Sequence, residues 1–319
     1  MTTFAPVQTK AHNRTTHPAS SSPQRGLTTT VPKEYVHRAV VTEVFLTGWE
    51  STDADSVTVT AQWPRAHTFY GPSAGFHDPL LFMETLRQTV PLLSHAVYGS
   101  PMDHRQIWEE LSVTIEPEAM RLHPTAAALE LHIRCSDIER RAGVVRRVRM
   151  AVTAVRDGHP LATATTSFTS HSRALYQRLR GGYADAEKAM ANAVTLPMPL
   201  RPDLVGRDRH HDVVLAATDC EDRWQLRVDV LHPIIFDHPA DHAPGMLLLE
   251  AARQAAQRVH GPTPVLVTGL EAAFHQYVEL DAPAWVTARR AEGDDRVLVT
   301  VEQLGTVMFE CAVTVHPAS

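Results

Sequence analysis

Two stretches of the chain set a polar stripe into an otherwise apolar helical pattern. In the later one, Leu247, Leu248, Ala251, Ala252 and Ala255 cover most of the surface of a helix, whereas Glu250, Arg253, Gln254 and Gln257 recur at i, i+3, i+4 and i+7 and share one face. The earlier one places Glu84, Arg87, Gln88 and His95 in the same way. Asp78 and Pro79 mark the start of the first helix as cap and first-turn residue, and Pro244 takes the same first-turn place in the second, where its missing N–H costs nothing. Pro91 lies inside the first pattern and predicts a kink or an early end. Gly245 leaves room for close approach to the start of the second helix. A polar stripe on a helix wrapped by apolar structure must open into a cleft or meet partners.

Around each helix the pattern changes to strand-like runs. Two precede the first helix, at Ala39 to Thr47 and Ser56 to Trp63; four follow, at Leu111 to Ile115, Ala128 to Cys135, Val144 to Val155 and Leu161 to Phe168. The second half answers with Asp212 to Ala217 and Trp224 to Val230, then Val265 to Val278, Ala284 to Ala291, Arg296 to Leu304 and Thr306 to Val315. The halves also repeat in detail. "HDPLLFMETLRQ", from His77, aligns without a gap on "APGMLLLEAARQ", from Ala243, so that Glu84, Arg87 and Gln88 fall on Glu250, Arg253 and Gln254. "EVFL" at Glu43 to Leu46 likewise answers "DVVL" at Asp212 to Leu215.

One helix among about six strands is the content of a hot-dog unit, in which a curled antiparallel sheet wraps a central helix. The predicted class is therefore α+β, with two tandem hot-dog domains forming a pseudo-dimer. The expected boundaries are a disordered Ser/Thr/Pro-rich tail at 1–30, an N-terminal domain at 31–170, a linker at 171–204 and a C-terminal domain at 205–319. Within the linker, Arg173 to Arg180 reads as a short helix ahead of the Gly181-Gly182 break.

Composition narrows the functional classes. A chain of 319 residues exceeds the roughly 100–200 residues of one domain, and 44% apolar residues suffice for a real core. The net charge of −6 leaves no global basic footprint for nucleic acid. No apolar run approaches the roughly 18 residues of a membrane span, and no secretory signal is evident, so a soluble cytoplasmic protein is expected. Cys135, Cys220 and Cys311 lie far apart without a C-x-x-C pair, and the 19 histidines show no metal-ligand spacing, so no disulfide, metal or cofactor is expected; His210-His211 reads as a surface pair.

"FDHPADHAPGMLLLEAARQAA", from Phe236 to Ala256, resembles the active-site segment of the β-hydroxyacyl carrier-protein dehydratases. Glu250 takes the place of their catalytic glutamate through "PGMLLLE", while His238 and His242 compete for the place of their histidine, the turn being two residues shorter. The resemblance to the A-factor synthase family (AfsA type) is closer. It rests jointly on "VPKEYVHRAVVTEVFLTGW" from Val31, "FHDPLLFMETLRQ" from Phe76 and "FDHPADHAPGMLLLEAARQ" from Phe236, and covers essentially everything after the tail.

That resemblance implies transfer of a β-ketoacyl group from acyl carrier protein, or a CoA thioester, to the hydroxyl of dihydroxyacetone phosphate, with aldol closure of the ester to a butenolide phosphate in the biosynthesis of an autoregulator. Such a transfer needs a base, donors for the oxyanion and a cation for the phosphate. Glu84 and Glu250 are the base candidates, with pKa values expected to be raised by an apolar cleft. Arg253, favoured over Arg87 because Gly245 gives its helix the more open start, would hold the phosphate or fix its glutamate. His77 or His242 would relay the proton, and Gln88, Gln254 and the free N–H groups beyond Gly245 complete the candidate site. Glu84 with Arg87 and Glu250 with Arg253 equally fit ion pairs that only satisfy buried charge.

The cysteines all lie in strand-like runs without a basic partner, and the reaction needs no nucleophilic serine, so direct transfer is expected rather than a covalent enzyme intermediate. Arg140, Arg141, Arg146, Arg147 and Arg149 form a basic stripe on a predicted hairpin, suited to an acidic carrier protein, although a solvated strand face is the simpler reading. Further assembly into a homo-oligomer is compatible with the fold. The alternatives are a hot-dog dehydratase or thioesterase acting on acyl thioesters, or a non-enzymatic regulator that binds an acyl group or lactone; no helix-turn-helix segment is evident for the latter.

Overall fold

The computed structural model describes residues 29–291 and 295–318, so most of the expected tail lies outside the described residues. The first half comprises β1 (Leu46–Asp53), β2 (Ser56–Trp63), α1 (Leu80–Leu92), β3 (Arg105–Ile115), β4 (Ala127–Arg141), β5 (Val144–Arg156) and β6 (His159–His171). Two short helices follow, α2 (Arg173–Arg180) and α3 (Ala186–Ala191). The second half comprises β7 (Leu215–Ala216), β8 (Arg223–Leu226), α4 (Gly245–His260), β9 (Val265–Phe274), β10 (Ala284–Arg290), β11 (Arg296–Gln303) and β12 (Thr306–Pro317).

The strands form one sheet in the order β1-β2-β4-β5-β6-β3-β9-β12-β11-β10-β8-β7. Read from either end, the two halves run through corresponding strands and meet at β3 and β9, which pair antiparallel through Ser112↔Glu271 and Val113↔Leu270. This is the tandem hot-dog architecture. Alternation makes it: along β4 from Ala127 to Cys135 every second residue is buried, and those inward residues close over a helix. Ala251, Ala252, Ala255 and Ala256 of α4 are wholly buried, and α4 touches α1.

Three of the strand expectations need correction, and one of them, Trp224 to Val230, is strand only as far as Leu226. Ala39 to Thr47 and Asp212 to Ala217 are largely not strand; each begins in a 3-10 turn, at Val41–Glu43 and His210–Asp212, and β7 has two residues. The reason is the same in both halves. Gln88 accepts from the Phe45 N–H at 2.9 Å and donates to the Glu43 carbonyl at 2.7 Å; Gln254 accepts from the Val214 N–H at 3.0 Å and donates to the Asp212 carbonyl at 2.8 Å. A helix side chain therefore satisfies backbone groups that a neighbouring strand would otherwise pair. Pro91 ends the α-helical part of α1 at Leu92, and a wider turn from Leu93 to Val97 carries His95.

Candidate functional site

The helix polar faces are two buried carboxylate centres with the same construction. The Glu84 carboxylate receives Arg87 Nε and Nη2 at 2.9 Å each, Arg38 Nη2 at 2.7 Å and the Gln88 amide at 2.8 Å. The Glu250 carboxylate receives Arg253 Nε at 2.9 Å and Nη2 at 2.8 Å, Arg207 Nε at 2.7 Å and Nη2 at 2.5 Å, and the Gln254 amide at 2.5 Å. Burial alone would push both carboxyls up. Arg38 with Arg87, and Arg207 with Arg253, outweigh it and hold each at about 2.

The expected rise in pKa is thus reversed. Each carboxylate is saturated by donors and charged at neutral pH, which suits an anchor for two guanidinium groups and not a base. Gln88 and Gln254, expected at the substrate, have their amides occupied by backbone and carboxylate.

What each centre meets across the interface between the halves is different. Arg207 donates to the Phe69 carbonyl and to Asp78, both at 2.8 Å. Arg38 donates to the Ile234 carbonyl at 3.1 Å and pairs with Asp237 at 3.2 Å, and the Ala39 N–H donates to Asp237 at 3.0 Å. The second-half loop at the Glu84 centre, Phe236 to Pro244, contains two Asp-His steps. His238 Nδ1 lies 2.6 Å from Asp237, and His242 Nδ1 lies 2.7 Å from Asp241. Hydrogen bonds from the adjacent histidines and nearby arginines offset burial and hold both aspartates at about 2. Each aspartate is therefore an acceptor, which makes Nδ1 of each histidine the donor and turns Nε2 away from the carboxylate. Both imidazoles reach solvent, with side-chain exposures of 43% for His238 and 30% for His242.

Other groups gather on this side. His37 and His95 share a 2.8 Å hydrogen bond, and the His37 ring, held at about 3 by burial and then by His95, also feels Arg87, Arg105 and His238. Arg87 is 23% exposed against 10% for Arg253, so the more accessible guanidinium belongs to the first helix, contrary to the expectation from Gly245. Gly245 does permit a close approach, of a stacked pair of rings. A methyl group there would lie 3.3 Å from Phe274 and 3.5 Å from Trp108, whose centroids are 5.4 Å apart.

His77 joins neither centre. Its Nε2 is buried without a partner beside Trp63, and burial followed by Arg156 and His123 holds it at about 4. Among the described residues, His211, Asp212 and His232 form the one grouping with metal-ligand proximity. His232 Nδ1, however, accepts from the Ile234 and Ile235 N–H groups, which places the proton on Nε2; His67 repeats this turn in the first half beside Glu43. These histidines are therefore turn residues backed by a carboxylate. Cys135 and Cys311 are buried and their thiols pushed up by that burial, so neither offers a thiolate. In the basic stripe, Arg147 and Arg149 are paired with Glu109 and Glu110, each at 2.7 Å.

The sequence reading missed Arg38, Arg207, Asp237 and Asp241. A signal existed for the two arginines: each stands five residues before the acidic residue that opens "EVFL" or "DVVL".

The family model described as A-factor biosynthesis hotdog domain matches residues 19–172 and 189–316. The chain belongs to that family. A protein of Streptomyces virginiae, named 2-oxo-3-(phosphooxy)propyl 3-oxoalkanoate synthase, is 44% identical over 92% of this chain and 100% of its own length. A protein of the same name from Streptomyces coelicolor is 40% identical over 88% of this chain and 89% of its own. Among solved structures, an acyl-ACP thioesterase from Bacteroides thetaiotaomicron superposes with a TM-score of 0.50 at 12% identity, covering 81% of this chain and 98% of that one. A putative oleoyl thioesterase from Lactobacillus plantarum gives 0.50 at 13% identity, covering 82% and 97%. These last two likenesses concern the fold alone. Among the described residues no helix is long and apolar enough to cross a membrane.

Proposed function

We propose that this protein transfers a 3-oxoacyl group from a thioester, carried by acyl carrier protein in the cytoplasm, to the primary hydroxyl of dihydroxyacetone phosphate. The product is the 2-oxo-3-(phosphooxy)propyl 3-oxoalkanoate that the names of the Streptomyces relatives describe, and its ring closure yields a butenolide phosphate. The observation that carries the residue assignment is the Asp241–His242 pair at the entry to α4, on the loop that Asp237 ties to Arg38 and the Glu84 centre.

In this reading His242 Nε2 takes the hydroxyl proton, the alcohol oxygen attacks the thioester carbonyl and the C–S bond breaks. The imidazolium returns its proton to the departing thiolate. The N–H groups of Gly245 and Met246, which the first turn of α4 leaves without intrahelical partners, face the developing oxyanion. Arg87, held in place by Glu84 and partly exposed, takes the phosphate. Glu84 and Glu250 are positioning residues, and the closed Glu250–Arg253–Arg207 centre is structural.

The test is to incubate the protein with a 3-oxoacyl thioester and dihydroxyacetone phosphate and to follow products by mass spectrometry. A phosphorylated ester or butenolide is expected, lost by about a hundredfold or more in His242→Gln. Arg87→Ala is expected to raise KM for the phosphorylated acceptor while Arg253→Ala does not. Release of free 3-oxo acid alone would replace this reading by thioester hydrolysis.

A further inference from the structure

The segment between the two halves is not a passive tether. Tyr176 and Arg180 both lie on α2, an element outside the repeat, and both are directed at Asp241. The Tyr176 hydroxyl donates to the Asp241 carboxylate, at 2.9 Å from Oδ1 and 2.8 Å from Oδ2. Arg180 donates to Asp241 Oδ2 at 3.4 Å and to its main-chain carbonyl at 3.0 Å, and is itself gripped by Glu279 at 2.5 and 2.7 Å. Its guanidinium lies 4.1 Å over the Tyr277 ring, which meets the His242 ring edge-on at 4.6 Å. Tyr176, Arg180 and Asp241 are all buried, at 8, 7 and 7% exposure, while His242 reaches the surface.

We infer that Tyr176 and Arg180 are positioning residues for the acyl transfer, acting through Asp241 to fix the orientation and basicity of His242. The inference rests on the reading of His242 as the base. A carboxylate bonded only to an imidazole would place its whole charge there and favour imidazolium, which cannot accept a proton. The phenol and the guanidinium draw part of that charge away, while two fixed donors hold the carboxylate plane and, through Nδ1–H, the ring. Burial pushes the Asp241 carboxyl up, yet His242, Tyr176 and Arg180 together hold it at about 2, and the same contact, after burial, drives the Tyr176 phenol well above its ordinary range. The groups facing this pair are thus Tyr176, Arg180, Glu279 and Tyr277, and each enters the balance.

The experiment is the pH profile of kcat and KM for acyl transfer in the full chain, comparing Tyr176→Phe, Arg180→Gln and the exposed α2 variant Leu179→Ala with the parent and with His242→Gln. Tyr176→Phe removes one hydroxyl and keeps the ring. It is expected to lower kcat about tenfold with KM for both substrates within about twofold, and to move the acid limb of kcat/KM up by about half a pH unit. Arg180→Gln moves the limb in the same direction, and Leu179→Ala leaves kcat and the limb in place. A merely structural role would reduce the folded fraction, read by thermal unfolding, and leave the profile of the remaining enzyme unmoved. If His242→Gln abolishes transfer while Tyr176→Phe keeps the parent kcat and profile, the linker inference is overturned and the base reading stands. If His242→Gln transfers at the parent rate, both fall.

Discussion

Replacing Glu84 by glutamine removes the charge held between Arg38 and Arg87 and sets an NH2 group where guanidinium groups donate. The wild-type carboxyl titrates at about 2 instead of its ordinary 4.5, which corresponds to about 3 kcal/mol of stability at neutral pH, since each pH unit is worth about 1.36 kcal/mol. That agrees with the roughly 3–5 kcal/mol lost when one partner of a buried ion pair is removed. The folded-state value is depressed, so the contribution is fully present above about pH 4.5 and disappears as pH falls toward 2. Urea unfolding followed by tryptophan fluorescence should therefore show the Glu84→Gln midpoint about 1 M below the parent at neutral pH. The gap should narrow steadily in acid. Were Glu84 a base poised near neutrality, as the stripe pattern alone suggests, the substitution would cost little at pH 7. An unchanged midpoint there, or a gap that widens in acid, would refute the account of the carboxylate as an anchor.

Gly245→Ala pits a gain below about 1 kcal/mol in helix propensity, since the residue opens α4, against about 1–3 kcal/mol of overpacking beneath Phe274 and Trp108. The melting temperature should move by only a few degrees while the transfer rate falls severalfold, because the added methyl group crowds the first turn of α4. At the surface, charge reversal at Arg140, Arg141 and Arg146 should raise KM for a carrier-protein thioester and leave KM for a CoA thioester unchanged. Arg147→Ala and Arg149→Ala, already paired with Glu109 and Glu110, should have little effect on either. Equal effects on both substrates would remove this face as the docking surface.

The two helices and most of the strands were legible because burial writes its period into the chain: helical spacing around Glu84 and Glu250, alternation along Ala127 to Cys135. The early apolar runs deceived because they look like strands, yet Gln88 and Gln254 pair with their backbone in place of a neighbouring strand. Which residues form the carboxylate centres was legible only in part. Glu84 with Arg87 and Glu250 with Arg253 stand three residues apart on one helix, whereas Arg38 and Arg207 arrive from loops more than forty residues upstream. Without those second arginines, the direction of the glutamate pKa could not be read, since burial and ion pairing push oppositely. Asp237 and Asp241 stand beside His238 and His242, but an adjacent Asp-His step has no fixed geometry until the loop does.

The joining of the halves through β3 and β9 within one chain has an evolutionary consequence. In a homodimer every substitution is made twice, so a change that improves one cleft must be tolerated in the other. Fusion lifts that constraint. Phe236 to Pro244 could gain two histidine steps, and the facing segment around Asp78 could close over Arg207, without either change being copied to the opposite side. The two carboxylate centres, alike in their glutamate, arginines and glutamine, were thereby free to acquire different surroundings.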